Sequence, residues 1–247
     1  MDAAVEVPAG QFELNEDQRA IQATAESFAD ERVAPHALAW DRECPFPADV
    51  IRKTGPLGFG GIYVGEEGGG SGLGRLDAVL IFEALSRACP GFASFISIHN
   101  MTAWMVDRFG NDEQRQRLLP KMASMEWLGS YCLTEPGSGS DAAALKTRAV
   151  RDGDHYVVNG AKQFISGAGD SDVYVTMVRT GGDGPKGIST LVVPKDAPGL
   201  SSSTVEELSP TTPDVQALES IKIDAVLQTA IGHMDRRGLP FALITGP

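Results

Sequence analysis

The residues with the clearest capacity for chemistry lie in one short run, LTEPGSGSD, from Leu133 to Asp141. Its alternating glycines and serines let the backbone come close to a ligand and direct its amides toward it. The hydroxyls of Thr134, Ser138 and Ser140 add donors and acceptors without net charge. Such a loop suits a polar, planar or phosphorylated ligand. A surface turn capped by the Asp141 side chain explains the same composition, and composition alone favours that simpler interpretation.

The segment that precedes this run, residues 1–126, predicts a helical domain. Asn15 and Gln18 have capping-box spacing, and apolar residues then recur at helical intervals until Pro35, where we expect the helix to end. Residues 76–88 are so apolar that they predict a helix buried on most sides. Helix packed on helix is therefore the expected architecture of this segment.

The segment from 127 to 200 predicts strands. Asp152-Gly153 and Asn159-Gly160 each lie between short strand-like runs, and both dipeptides favour tight hairpin turns. Residues 172–180 and 187–195 predict two more strands joined by a glycine-rich turn. Consecutive hairpins without intervening helices predict an antiparallel β-barrel or sandwich. The expected fold class is thus α+β, which disfavours a nicotinamide-type Rossmann site.

Residues 201–247 differ in composition and hydrophobic pattern from both preceding segments. The first of them are rich in Ser, Thr and Pro and predict a linker. Asp214 to about Arg236 predicts one amphipathic helix, which could not form a core alone. We therefore expect a divergent tail rather than a third domain.

Composition narrows the classes of function. With 21 Lys and Arg against 33 Asp and Glu, the 247 residues carry a formal net charge of −12. That charge repels phosphate backbones, so no nucleic-acid partner is expected. The three cysteines lack CxxC spacing and the four histidines are scattered, which predicts neither disulfides nor a metal site. No apolar run approaches the ~18 residues of a membrane span, and the N-terminus has the features of neither a secretory signal nor a transit peptide.

Four ordered blocks of the sequence resemble the acyl-CoA dehydrogenase family. CLTEPGSGSDAAA (132–144) is similar to the family signature, and NGAKQFISGAG (159–169) to its second flavin-contacting segment. The blocks at 109–126 and 57–73 resemble the segment that leads into the signature and a loop of the N-terminal domain. The resemblance covers about residues 14–200, and four blocks in order are far more specific than a lone glycine motif.

The resemblance implies FAD as the cofactor and an acyl-CoA as the substrate. The residues that it implies for the flavin are Tyr131, Cys132, Leu133, Thr134, Gly139, Ser140, Phe164, Ile165 and Ser166. Ser140 is also expected to contact the acyl-CoA, and Ser166 to lie near the flavin nitrogen that accepts hydride. Phe164 occupies the position at which many relatives have a tryptophan. The phenylalanine keeps an aromatic surface there but lacks the N–H donor of the indole. A core strand residue at Phe164 and a turn serine at Ser166 remain as alternatives.

The sequences of three short segments are most similar to those of the family members that act on short branched acyl-CoA, such as isobutyryl-CoA in valine degradation. These segments are SIHNM (97–101), ISGAGDSDVYV (165–175) and RTGGDGPKGIS (179–189). Other short-chain acyl-CoA dehydrogenases are close behind. His99 could line the acyl pocket, or it could be a helix histidine with its hydrogen bonds satisfied.

The family also implies electron-transfer flavoprotein as the electron acceptor and a homotetramer as the assembly. It implies the mitochondrial matrix if the source is eukaryotic, and otherwise the cytoplasm. In the family the catalytic glutamate lies in a C-terminal helical bundle, and residues after about 200 do not resemble it. We therefore expect a truncated form that lacks the bundle and the usual interface domain. No catalytic residue is assigned, and we expect little dehydrogenase activity from the chain alone.

Other functions remain open at this point. One is a flavin or acyl-CoA binder without turnover, or a product that does not fold. Another is a different flavoenzyme of the same superfamily, such as an acyl-CoA oxidase or a flavin monooxygenase. Bound flavin separates a folded binder from an inert chain, and peroxide formation separates an oxidase from a dehydrogenase.

Overall fold

The computed structural model describes residues 13–203, 220–227 and 243–244. Its first half is helical. The helices are α1 Glu16–Phe28, α2 Ala34–Glu43, α3 Ala48–Arg52, α4 Arg75–Ala88, α5 Pro90–Phe109 and α6 Asp112–Ala123. The second half forms an eight-stranded sheet, so the predicted α+β class with the helical domain first is confirmed.

The capping box predicted at the start of α1 is present. The Asn15 side chain accepts from the Gln18 amide at 2.8 Å, and the Asn15 amide donates to the Gln18 side chain at 3.1 Å. The prediction that Pro35 ends this helix is wrong. The chain passes through one π-helical turn, Ala29–Val33, directly into α2, and Pro35 lies in the first turn of α2.

Helices α4 and α5 form the centre of the helical domain. Ala78, Ile81 and Leu85 of α4 are buried, whereas Leu76 and Val79 are exposed. The expectation that this helix is buried on most sides is therefore wrong, since it buries one stripe only. Helix α5 contacts α4, α6 and the first strand, so it connects the helical core to the sheet.

The strands are β1 Gly129–Cys132, β2 Arg148–Asp152, β3 His155–Gln163, β4 Val173–Arg179, β5 Ile188–Pro194, β6 Leu200–Ser203, β7 Ser220–Leu227 and β8 Leu243–Ile244. Their order in the sheet is β6-β7-β3-β2-β4-β5-β8, with β1 paired to β4. The hairpins β2–β3 and β4–β5 are antiparallel as predicted. However, β1 and β2 both run parallel to β4, so the sheet is mixed rather than wholly antiparallel.

One of the two predicted turns is confirmed and the other is wrong. Gly153 lies in the β2–β3 turn with φ of +63°. Asn159-Gly160 instead lies inside β3, which pairs without interruption along its length. Glycine is needed there because a Cβ at position 160 would overlap the side chain and Cα of Thr147.

The predicted helix over 214–236 is wrong for the residues that the structure describes. Ser220–Leu227 is a strand, β7, which lies between β6 and β3 and pairs with the length of β3 from Tyr156 to Gln163. The linker predicted before it is wrong where it overlaps β6, Leu200–Ser203, which pairs with β7. The rest of that linker and the remainder of the predicted helix lie outside the described residues.

Candidate functional site

Two segments singled out from the sequence lie side by side. The Gln163 amide donates to the Thr134 carbonyl oxygen at 2.8 Å. The Ser130 hydroxyl donates to the Ser166 carbonyl oxygen at 2.6 Å. The end of β1 and the turn after β3 therefore form one surface, although about thirty residues separate them along the chain.

Strand alternation divides the side chains of this surface. Tyr131, Leu133 and Thr134 are partly exposed. Cys132 and Ile165 are buried in the core of the sheet, and burial raises the pKa of the Cys132 thiol to about 12. Any contact of these two residues with a ligand would therefore use their backbone atoms.

Phe164 and Ser166 are placed differently from ordinary strand residues. Phe164 follows β3, has a φ of +61° and exposes 51% of its surface, so the core-strand alternative is wrong. Ser166 is half-buried. Within the described residues, the hydroxyls of Ser166 and Thr134 make no hydrogen bond, which leaves both available to a ligand.

The loop after β1 makes a tight turn before it reaches Gly139 and Ser140. The backbones of Glu135 and Ser138 exchange two hydrogen bonds of 3.0 Å, and the Ser138 hydroxyl donates to the Asp141 carbonyl oxygen at 2.8 Å. The Asp141 side chain does not cap the short helix Ala142–Ala144. Gly139 and Ser140 are exposed, and no hydrogen bond among the described residues joins them to the second segment.

A buried ion pair lies beneath the loop. Lys162 Nζ is 2.8 Å from Glu135 Oε1 and also donates to the Leu133 carbonyl oxygen at 3.0 Å. Burial alone would raise the pKa of Glu135, but hydrogen bonds from Lys162, Thr147 and Lys146 outweigh it and hold that pKa below its ordinary value. Burial lowers the pKa of Lys162 against the attraction of the carboxylate. Glu135 is therefore a carboxylate at neutral pH.

Helix α5 supports the second segment from the helical side. Gly167 has a φ of +78°, and a Cβ there would lie 2.6 Å from Cε2 of Phe95 and 2.6 Å from the Ser171 hydroxyl. The backbone that follows Ser166 is thus packed directly against an aromatic ring of α5. Ser171 also hydrogen-bonds to Ser130 at 2.7 Å, which links the turn to β1.

His99 of α5 is a satisfied interior histidine and has no exposed surface for an acyl pocket. Its Nδ1 accepts from the Gly129 amide at 3.0 Å, so its proton is on Nε2. Nε2 donates to the carbonyl oxygens of Gly60 and Met122 at 3.1 and 3.0 Å. Burial lowers the pKa of His99 to about 4.

Sequence reasoning missed the polar residues behind the surface, namely Ser130, Glu135, Lys162 and Ser171. One signal was available for Lys162. Tyr156 and Val158 face the interior of the sheet, and alternation along β3 places Lys162 on the same side. A lysine on an inward face predicts a buried acidic partner, because Lys is almost never fully buried unless paired.

The family comparison follows the same division as the fold. The model for the N-terminal domain of acyl-CoA dehydrogenases matches residues 15–126, and the model for the middle domain matches residues 130–217. The chain belongs to the acyl-CoA dehydrogenase family. The expectation that the likeness ends near Leu200 is wrong, since the middle-domain match continues to 217.

Two of the most similar curated relatives of this acyl-CoA dehydrogenase chain are isobutyryl-CoA dehydrogenases. Mitochondrial isobutyryl-CoA dehydrogenase of Dictyostelium discoideum is 57% identical over 202 residues, which are 81% of this chain and 49% of the relative. The mitochondrial isobutyryl-CoA dehydrogenase of Bos taurus is 55% identical over 194 residues, 78% of this chain and 47% of the relative. The chain spans about half the length of the curated relatives it matches.

A solved structure carries the cofactor of the family. Glutaryl-CoA dehydrogenase from Mycobacterium smegmatis in complex with FADH2 superimposes with a TM-score of 0.77 and 29% identity. The match covers 86% of this chain and 54% of that one. This likeness supports flavin as the cofactor class. Among the residues of our chain that the structure describes, no helix is long and apolar enough to cross a membrane, and no cluster of three potential metal ligands occurs.

Proposed function

We propose that this chain binds FAD and acts in the α,β-dehydrogenation of a short branched acyl-CoA such as isobutyryl-CoA. The observation that carries the proposal is the junction of the two family segments by the Gln163 to Thr134 hydrogen bond of 2.8 Å. That junction creates one partly exposed surface from residues that the family resemblance had assigned to the flavin.

The residues on this surface fit a flavin. Tyr131 and Leu133 offer a partly exposed apolar strip, and Phe164 offers an exposed aromatic ring. The hydroxyls of Thr134 and Ser166 can donate to or accept from the polar edge of the ring system. A bound flavin supplies the capacity to accept hydride, and the protein supplies the geometry.

The remaining assignments belong to the same proposal. Gly139 and Ser140 lie exposed on the loop beside the surface, where Ser140 can contact both flavin and acyl-CoA. Cys132 and Ile165 contribute their backbone atoms. Family membership and the isobutyryl-CoA dehydrogenases among the relatives support the branched substrate, with valine degradation as its context. The names of these relatives also support a mitochondrial location, and family membership supports electron-transfer flavoprotein as the acceptor.

Titration of the full chain with FAD tests the cofactor assignment. We expect saturable binding, seen as quenching of flavin fluorescence and a shift of the visible absorbance. Ser166→Ala should weaken binding about tenfold, the effect of losing one hydrogen bond of roughly 1.4 kcal/mol. Ser86→Ala, an exposed serine on α4, is the matched control and should bind as the parent does. No FAD binding by a folded parent chain would exclude the proposal.

Anaerobic addition of isobutyryl-CoA to the flavin-loaded chain tests the reaction. We expect little bleaching of the flavin absorbance from this chain alone, because no catalytic base is assigned among its residues. Bleaching would support dehydrogenation by the chain itself, and butyryl-CoA in place of isobutyryl-CoA would then test the preference for a branched acyl group. Stable flavin binding without bleaching supports the alternative, a flavin binder without turnover. Peroxide produced in air would instead indicate an oxidase.

A further inference from the structure

We infer that Glu135 and Lys162 are a positioning pair that fixes the backbone of the flavin-facing segment at Leu133 and Thr134. The inference rests on the proposed function, because the segment that the pair holds is the one assigned to FAD.

The pair is unusually well enclosed for two charged side chains. The Lys162 side chain is 0% exposed and that of Glu135 is 7% exposed. Removing two charges from water costs about as much as their attraction returns, so a buried pair adds little net stability over apolar residues of similar size. Its presence beneath a ligand surface therefore calls for a role other than general stability.

The contacts of Lys162 show what that role is. Its Nζ donates to the Leu133 carbonyl oxygen at 3.0 Å, and the amide of the next residue, Gln163, donates to the Thr134 carbonyl oxygen at 2.8 Å. Two consecutive residues thus hold two consecutive carbonyl groups of the flavin-facing segment. Both carbonyl oxygens are engaged within the protein, so the backbone of Leu133 and Thr134 is held in one position.

The contacts of Glu135 anchor the pair to the sheet. Its two carboxylate oxygens accept from the Lys146 amide at 2.6 Å and from the Thr147 amide at 2.9 Å, just before β2. The ammonium group is therefore held from one side by a fixed carboxylate and binds Leu133 on the other. A lone lysine, with its flexible stem, would not hold Leu133 in one place.

The double variant Glu135→Gln/Lys162→Met tests the inference. It removes both charges together, and the Gln amide oxygen still accepts from an amide just before β2, so we expect the apo chain to stay folded. Release of the Leu133 carbonyl should raise the FAD dissociation constant about tenfold or more. It should also change the visible circular dichroism of bound flavin, which a purely structural role would not alter.

A second variant and a control keep the test decisive. Lys162→Arg retains the charge but not the single donor that reaches both partners, so it should also weaken FAD binding and alter the flavin spectrum. Asp49→Asn/Lys53→Met removes an exposed ion pair between α3 and the residue that follows it, and this variant should bind FAD as the parent does. If the variants of Glu135 and Lys162 fold and match the parent in FAD affinity and flavin spectrum, the inference is wrong, while the proposed function stands. A folded parent chain that does not bind FAD would overturn the proposed function and the inference together.

Discussion

Phe164 combines a bulky side chain, a left-handed backbone and a half-exposed ring. A φ of +61° is rare for an aromatic residue and costs roughly 1 kcal/mol or more, so the surrounding structure must impose it. The bonds of Gln163 to Thr134 and of Ser130 to Ser166 bracket the residue and do so. Strained residues cluster at ligand-binding and active sites, which is consistent with a place for Phe164 on the candidate surface.

Replacing Phe164 by Gly separates strain from binding. Relief of ~1 kcal/mol of backbone strain should offset the lost ring contacts, so the free energy of unfolding of the apo chain should not fall. FAD binding should weaken about tenfold, since a lost aromatic contact is worth about 1–1.5 kcal/mol. Chemical denaturation and FAD titration measure the two quantities. Val150→Ala, which trims another exposed apolar side chain, should leave FAD binding unchanged; equal binding by the Phe164 variant would remove Phe164 from the site.

Gly167 and Gly153 share a positive φ but not their surroundings. A Cβ at Gly153 meets nothing within 4 Å, whereas one at Gly167 would press on Phe95 and Ser171. Gly153→Ala should therefore cost only backbone strain of ~1 kcal/mol, and Gly167→Ala about 3 kcal/mol because overpacking is added. Denaturant unfolding compares the two variants directly. Equal losses would mean that the turn can move away from α5.

At the scale of elements, His99 joins α5 to the first strand. Its ring is neutral, fully buried and bonded to Gly129, Gly60 and Met122. Protonation would place a second donor against the Gly129 amide and a charge in the interior. One of the contacts between the two halves of the chain therefore depends on the protonation state of His99.

This dependence has a defined pH window. The pKa of His99 is about 4 in the folded chain and 6.5 as the reference for the unfolded chain, so the unfolded state binds more protons between these values. The stabilisation is fully present above about pH 6.5, falls with decreasing pH and levels off near pH 4, a loss of roughly 3 kcal/mol. Urea unfolding across this range measures it. His99→Gln should remove this component, whereas His36→Gln, at an exposed histidine, should retain it.

Short sequence patterns predicted the structure correctly where interactions between neighbouring residues determine it. The pairing of Asn15 with Gln18 is such a case, because a capping box involves only the first turn. The turn predicted at Asn159-Gly160 is wrong because the glycine is needed for another reason. Gly160 packs closely against Thr147, a residue distant in sequence. The helix predicted over residues 220–227 is wrong for the same reason. Their pairing with β3 is a long-range interaction that overrides a weak helical pattern.

The candidate site shows the same limit. Thr134 and Ser166 could be predicted because they lie in short segments with a family likeness. Glu135 and Lys162 lie in the same segments, but their bond is made across the sheet between residues 27 apart, and only the alternation of β3 indicated it. The residues proposed to touch the ligand could thus be singled out from the sequence, whereas the residues that hold their backbone in place could not.

At the scale of the whole molecule, Asp172 and Arg52 connect the helical domain to the sheet. Asp172 Oδ2 accepts from Arg52 at 3.0 Å and from the Leu128 amide at 2.8 Å. Arg52 also donates to the carbonyl oxygens of Met125 and Glu126, just before the sheet begins. Arg52 and Asp172 are 120 residues apart in sequence, so no local pattern could have predicted their contact.

Two substitutions at Asp172 separate its hydrogen bond to the backbone from its charge. Asp172→Asn keeps an oxygen for the Leu128 amide and should cost about 1 kcal/mol or less, the value of a partly exposed ion pair. Asp172→Ala leaves the Leu128 amide without its side-chain acceptor and should cost about 2 kcal/mol. Because this amide lies at the junction, we also expect the alanine variant to unfold over a broader urea range, with helical and sheet signals no longer coincident.

The neighbouring Asp170 provides the matched control, since it is exposed and its side chain makes no hydrogen bond within the described residues. Asp170→Ala should leave both the midpoint and the coincidence of the signals unchanged. If Asp172→Ala behaved in the same way, the remaining contacts, among them the packing of α5 on β1 and the hydrogen bond of His99 to Gly129, would suffice to hold the helical domain on the sheet. A selective loss at Asp172 would show instead that Arg52, Asp172 and the Leu128 amide couple the helical domain and the sheet into a single cooperative unit.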